Sequence, residues 1–198
     1  AAPLLIAAAD RLARRLKPAA SAPAYDEIEP EEPRVLIAGF GRFGQIVGRV
    51  LRARRIRFTA LEVSQAQVGF VRRFGNKLYY GDASRLELLR SAGAEQAKLL
   101  VLAIDDVEAS VRTAEVAQRH FPQLRILARA RNRQHAFRLM EAGVTEIWRE
   151  TFASSLEVAE AALVALGTTR ESAASQVRRF RAHDESTLQA QAAVHDDE

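Results

Sequence analysis

Val35-Leu36-Ile37-Ala38-Gly39-Phe40-Gly41-Arg42-Phe43-Gly44 is a short apolar run that empties into a complete G-x-G-x-x-G turn. The run has the length of a buried parallel strand, and the next stretch, from Phe43 to Leu51, is apolar at helical spacing. In that setting each glycine has its own task. Gly39 permits the tight turn, Gly41 lets backbone N–H groups approach a pyrophosphate, and Gly44 lets helix and strand pack closely. Glu62 closes the next apolar run, roughly 20 residues further on, where an acidic group meets a ribose hydroxyl. Strand, turn, helix and acid together specify a dinucleotide-type site.

Working outward, apolar runs at 35–38, 58–61, 78–80, 99–104 and 126–128 are expected strands, with a sixth at 144–148. Helical patterns fall between them at 43–53, 65–74, 85–92, 106–120 and 133–142. Near-continuous apolar strands alternating with amphipathic helices mean a parallel sheet covered on both faces. The fold class is therefore α/β, a Rossmann-type doubly wound parallel sheet over residues 34–150, followed by a helical extension. Gly75, Gly93 and Gly143 each come just after an expected helix, where a left-handed cap is wanted.

Ligands of such sheets lie beyond the carboxyl ends of the strands. Gly81-Asp82-Ala83 comes after the third strand, and Asp82 either accepts a hydrogen bond from an adenine amino group or caps the next helix. After the fourth strand, Asp106 suits a helix cap while Asp105 faces the cleft, although both have the chemistry of caps. Arg129 and Arg131 close the fifth strand, placed to meet a phosphate or a carboxylate, or else solvated.

The rest of the chain bounds the function. Its 198 residues, 48% of them hydrophobic, give room for one full domain plus appendages. With no cysteine there is no disulfide, thiolate metal site or cysteine nucleophile, which fits a reducing compartment. The net charge of +4 is almost all arginine and is spread along the chain. A nucleic-acid surface would show a basic stripe with interleaved aromatics, so no nucleic-acid partner is expected. A small NAD-dependent oxidoreductase is the rival reading. It lacks an evident proton relay and a substrate domain, because His120, His135, His183 and His195 neither adjoin the glycine turn nor show metal-ligand spacing.

The chain opens with Pro3-Leu4-Leu5-Ile6-Ala7-Ala8-Ala9, then Arg11, Arg14, Arg15 and Lys17. Residues 1–18 read either as the cytoplasmic exit of a membrane span or as an amphipathic leader, being far short of the ~20 apolar residues a span needs. Residues 19–33, rich in Ala, Pro and Ser and ending in acids, read as a linker. Beyond Glu150, Phe152, Leu156, Ala159, Leu163 and Leu166 alternate at four and three, a seam over 151–167 that either docks on its own sheet or pairs with a second copy. Residues 168–198 form a charged tail of helical character.

Several motifs in order resemble the cytoplasmic domain of the glutathione-gated potassium efflux (Kef) proteins: Gly39-Phe40-Gly41-Arg42-Phe43-Gly44-Gln45, Gly81-Asp82-Ala83, Ala103-Ile104-Asp105-Asp106, Ala128-Arg129-Ala130-Arg131 and Arg149-Glu150-Thr151-Phe152. These are domains of the regulator-of-potassium-conductance (RCK), or TrkA-N, class. The resemblance implies AMP or NAD(H) as a structural or sensing ligand, held by Gly39, Gly41, Arg42, Phe43, Gly44, Glu62, Asp82, Ala83, Asp105 and Arg129. It implies glutathione or a glutathione adduct at Arg49, Arg149 and Asp184, where Asp184 stands in place of the family's asparagine. It further implies a non-enzymatic, homodimeric domain attached to a K+/H+ antiporter of the bacterial inner membrane, on the cytoplasmic side, with a quinone-oxidoreductase-like flavoprotein as an ancillary partner. A soluble nucleotide-sensing subunit of a separate potassium transporter is the third reading.

Overall fold

In the computed structural model, residues 24–28, 34–72 and 78–195 are described. The expectations for residues 1–18, for most of the linker, for Gly75 and for the last three residues lie outside them.

Six strands form one sheet: β1 (Val35–Ala38), β2 (Phe58–Glu62), β3 (Leu78–Tyr80), β4 (Leu99–Leu102), β5 (Arg125–Ala130) and β6 (Glu146–Arg149). Their order is β3-β2-β1-β4-β5-β6, and every pairing is parallel. Between them run α1 (Arg42–Ala53), α2 (Gln65–Arg72), α3 (Leu86–Ser91), α4 (Val107–His120) and α5 (Arg133–Glu141). The expected elements are present, with ends that differ by a few residues.

The alternation of β1 shows why the sheet is buried on both faces. Val35 and Ile37 pack with Phe40, Val68, Leu78 and Val101 on one side, while Leu36 and Ala38 pack with Leu89, Leu100, Phe121 and Leu139 on the other. Successive strand side chains point to opposite faces, so a strand that is apolar at every position demands two cores. Helix ends obey their chemistry. Asp106 accepts from the Ala109 N–H at 2.8 Å to cap α4, and Asn132 accepts from the His135 N–H at 2.8 Å to cap α5. Gly93 and Gly143 take positive φ (88° and 83°) just past α3 and α5.

Two features differ from the sequence expectation. Part of the linker is bound to the sheet: Asp26 accepts from Arg72 (2.6 Å) and from the Tyr80 N–H, and the Asp26 N–H donates to the Tyr80 carbonyl (3.0 Å), covering the edge of β3. The tail is helical as expected, one helix α7 (Arg170–His195), but it also docks, packing against both α5 and the seam helix α6 (Phe152–Ala165). Ala173 and Leu188 are its buried anchors. The seam helix packs on its own tail and also touches β6. No helix among the described residues is long and apolar enough to cross a membrane.

Candidate functional site

The sheet changes direction between β1 and β4, the two strands that leave the centre for opposite edges, and this is where open α/β sheets place ligands. The glycine turn lies there. Gly39 adopts φ +87°, and a Cβ on it would sit 2.7 Å from the Ala103 backbone. A Cβ on Gly44 would sit 2.3 Å from the Gly39 carbonyl oxygen, so helix α1 rests directly on the turn. Gly41 is different: the nearest atom to its Cβ would be Asp105 Oδ2, at 3.6 Å. Its missing side chain leaves space on the cleft side and relieves no clash.

Side chains from three elements fix the Phe40 peptide in the middle of the turn. The Phe40 N–H donates to Glu62 Oε2 (2.7 Å), and its carbonyl accepts from Gln67 Nε2 (2.6 Å) and Gln45 Nε2 (3.2 Å). Glu62 uses its other oxygen on the Ser64 N–H (2.9 Å). The turn is thus pre-organised, with Gly41 at the start of α1 and no side chain capping the helix's first N–H groups. Those free donors and the helix dipole favour an anion.

A cleft of about 240 Å³ opens in front of the turn. Of the expected nucleotide residues, Gly39, Gly41, Glu62, Asp82, Ala83 and Asp105 line it. Asp82 accepts from the Ser84 N–H (2.9 Å), closing a tight turn, while α3 starts later with Arg85 as its cap residue. Asp106 is the helix cap, while Asp105 takes no backbone N–H among the described residues and pairs with Arg129, which separates the two roles that the sequence left open. Arg42, Phe43, Gly44 and Arg129 stand outside the lining. Gln67 lines the cleft and was not anticipated, because its contact with Phe40 spans 27 residues.

Arg129 is not a solvated arginine: it is 3% exposed. Its Nη2 lies 2.7 Å from both Asp105 Oδ1 and Glu150 Oε2, and its Nη1 donates to the Ala103 carbonyl (3.2 Å). One guanidinium therefore ties the ends of β4, β5 and β6 together behind the turn. Arg131 is exposed and donates to the Asp105 carbonyl (3.3 Å).

A second cluster lies where β6 meets the tail. Asp184 of α7 accepts from Arg149 and from Arg133 (3.2 Å). Arg149 stacks on Phe152, 3.9 Å from guanidinium carbon to ring centre. Burial pushes the Asp184 carboxyl up, but the hydrogen bonds and charges of Arg149 and Arg133 outweigh it and hold the group below the usual carboxylate range. Two of the three expected glutathione residues, Arg149 and Asp184, are thus in contact. Arg49 is exposed on α1, with no ion pair among the described residues.

His135, at the start of α5, is buried, and its Nδ1 accepts from the Arg131 N–H (3.2 Å). Burial, then the positive charges of Arg138, Arg129 and Arg131, lower its pKa against the opposing pull of Glu108. Among the described residues no group of three or more His, Asp or Glu side chains is arranged to hold a metal ion.

Fold and cleft together define a Rossmann domain of the TrkA-N class. Residues 35–150 match the family described as "TrkA-N domain", and residues 154–198 match "Potassium efflux system KefB C-terminal domain". A structure described as "Shewanella denitrificans Kef CTD in AMP bound form" is 42% identical, with a TM-score of 0.73 over 81% of this chain and 98% of that one. The TrkA-N domain of the inner membrane protein YbaL from Escherichia coli is 27% identical, with a TM-score of 0.57 over 67% of this chain and 96% of that one. The GsuK channel bound to NAD shares the fold at 18% identity and a TM-score of 0.55, over 71% of this chain and 25% of that one. The chain belongs to the family of Kef C-terminal regulatory domains, the potassium-efflux branch of the TrkA-N class.

Proposed function

We propose that this chain is the ligand-sensing domain of a potassium/proton antiporter, binding an adenine nucleotide, AMP or NAD(H), in the glycine-turn cleft and glutathione or a glutathione adduct near Arg149. The observation that carries the nucleotide half is the pre-organised turn: uncapped α1 N–H groups, open space at Gly41, and the Glu62 carboxylate at the end of β2 holding the Phe40 N–H. The relative described as AMP-bound, at 42% identity, supports the same ligand here. Phosphate would rest on the start of α1, ribose hydroxyls on Glu62, and adenine toward Asp82 and Ala83. Glu62, an acid, disfavours a 2′-phosphate.

The glutathione half rests on Arg149, a fork suited to a carboxylate, with Arg49 as a second contact. Asp184 already fills the Arg149 fork, so a ligand carboxylate competes with an internal one. Gating of this kind shifts a preference between two arrangements of the domain and transforms no substrate, so the domain acts without catalysis. Pairing of two chains through residues 151–167 is supported by the apolar α6, of which only Leu156 is buried, while Val158 and Leu166, just past its end, are 69% and 86% exposed. The whole protein would sit in the bacterial inner membrane with this part on the cytoplasmic side, joined to an antiporter domain and served by a flavoprotein subunit.

Calorimetric titration with AMP, reduced glutathione and a bulky S-substituted adduct tests the reading. Saturable adduct binding, weakened by Arg149→Ala with AMP affinity intact, is the expected result. Nucleotide binding with no response to glutathione or its adduct would reduce the domain to a nucleotide sensor.

A further inference from the structure

The cleft that holds the glycine turn is lined by four carboxylates, those of Glu62, Asp82, Asp105 and Asp106, and by no lysine, arginine or histidine among the described residues. Three of the four have backbone N–H partners: Glu62 takes two, Asp82 takes that of Ser84 and Asp106 that of Ala109. Asp105 has none among the described residues. Its side chain is 73% exposed, it leans on the Arg129 guanidinium, and Oδ2 stands 3.6 Å from where a Gly41 methyl would be. Arg129 is itself shared with Glu150, so one cation serves two anions and the group keeps a net negative charge.

We propose that Asp105 sets the number of phosphates the cleft accepts, admitting a nucleoside monophosphate and disfavouring terminal di- and triphosphates. This rests on the nucleotide reading above. With ribose against Glu62, at the end of β2, the 5′ carbon points to the turn, and the first phosphate meets the uncapped N–H groups of α1. The partial positive charge there, about half a unit, answers one phosphate only. Each further terminal phosphate, which carries close to two negative charges where the esterified second phosphate of a dinucleotide carries one, runs on toward the end of β4, where Asp105 waits and no cation among the described residues lines the wall. Arg131 stands outside the lining, with its guanidinium on the Asp105 carbonyl. Like charges a few ångströms apart repel, and the repulsion grows as the ligand displaces water from around Asp105. Arg129 acts as a positioning residue, holding the Asp105 carboxylate at the turn.

The test is calorimetric titration of the chain with AMP, ADP and ATP in the presence of EDTA, on the natural sequence, Asp105→Asn and Asp106→Asn. The natural sequence should bind ADP at least about tenfold more weakly than AMP, and ATP more weakly still. Asp105→Asn should bring ADP within about threefold of AMP. Asp106→Asn removes the same unit of charge from the same cleft while keeping a helix cap, and it should change the ADP-to-AMP ratio by less. Equal affinities in the natural chain, an unchanged ranking in Asp105→Asn, or an equal or larger effect of Asp106→Asn overturns the proposal alone. Failure of all three nucleotides to bind overturns it together with the nucleotide reading.

Discussion

Glu62 and Phe40 are joined across 22 residues by a 2.7 Å hydrogen bond from the Phe40 backbone N–H to the Glu62 carboxylate. The same carboxylate receives the Ser64 N–H at 2.9 Å, so the acid at the end of β2 shapes the glycine turn before it meets any ligand. Each oxygen retains a free lone pair for a ribose hydroxyl. Glu62→Gln keeps the shape of the side chain but leaves only one oxygen to accept, so one buried N–H loses its partner. A loss of about 1–3 kcal/mol in unfolding free energy is expected, with weakened AMP binding. Urea denaturation and calorimetry on the same preparation check both. Unchanged stability would show that the turn holds itself.

The three glycines of the turn should separate by consequence. Gly44→Ala forces a methyl to 2.3 Å from the Gly39 carbonyl oxygen, and Gly39→Ala combines a φ of +87° with a 2.7 Å approach to the Ala103 backbone. Both should lower the melting temperature by several degrees or prevent folding. Gly41→Ala, whose methyl meets nothing closer than 3.6 Å, should melt at the natural temperature. Differential scanning calorimetry of the three variants gives the ranking directly.

Asp184 occupies the Arg149 fork as an internal carboxylate. Asp184→Asn removes that competitor and restores the residue that the resemblance implies, so glutathione affinity should rise several-fold while α7 docks less firmly. Acid should act in the same direction on docking. The folded-state pKa of Asp184 is depressed, so the ion pairs contribute fully above the ordinary carboxylate value, about 3.9, and are lost as pH falls through the lowered folded value. Far-ultraviolet circular dichroism, to which the 26-residue α7 contributes heavily, reports the loss as the undocked helix frays. In Asp184→Asn the signal change in that acid window should disappear.

His135 supplies a second pH dependence, of known sign. Its folded pKa is lowered, first by burial and then by Arg138, Arg129 and Arg131. The unfolded chain takes up the proton at about pH 6.5 while the folded chain refuses it, so stability falls as pH drops from about 6.5 toward the lowered value. Denaturation midpoints measured from about pH 7.5 to about pH 5 should fall in the natural chain. They should fall less in His135→Gln, which keeps a polar partner for the Arg131 N–H.

The six strands were legible because a parallel strand covered on both faces has to be apolar at every position, and Val35 to Ala38 is. Gly93 and Gly143 were legible for a local reason, a left-handed turn after a helix. The roles of Asp105 and Asp106 were half legible: the pair announced a cap, but only the fold says that both face the cleft, Asp106 taking the Ala109 N–H and Asp105 the Arg129 guanidinium. The buried state of Arg129 was not legible, since an arginine near a strand end is ordinarily solvated. The signal lay in three neighbouring strand ends, where Asp105, Arg129 and Glu150 supply one cation to two anions. The Asp26 clamp on Tyr80 spans 54 residues of sequence, beyond any periodicity. The docking of α7 was hidden for a similar reason, because its anchors Ala173 and Leu188 are isolated among small and polar residues.

The most direct measurement is calorimetric titration of AMP into the natural chain and Gly41→Val side by side, each checked for folding by circular dichroism. One saturable site per natural chain is expected, and none in a folded Gly41→Val, whose side chain would fill the space at the mouth of the turn. Undiminished AMP binding by the folded variant would place the nucleotide elsewhere and contradict the assignment of the cleft.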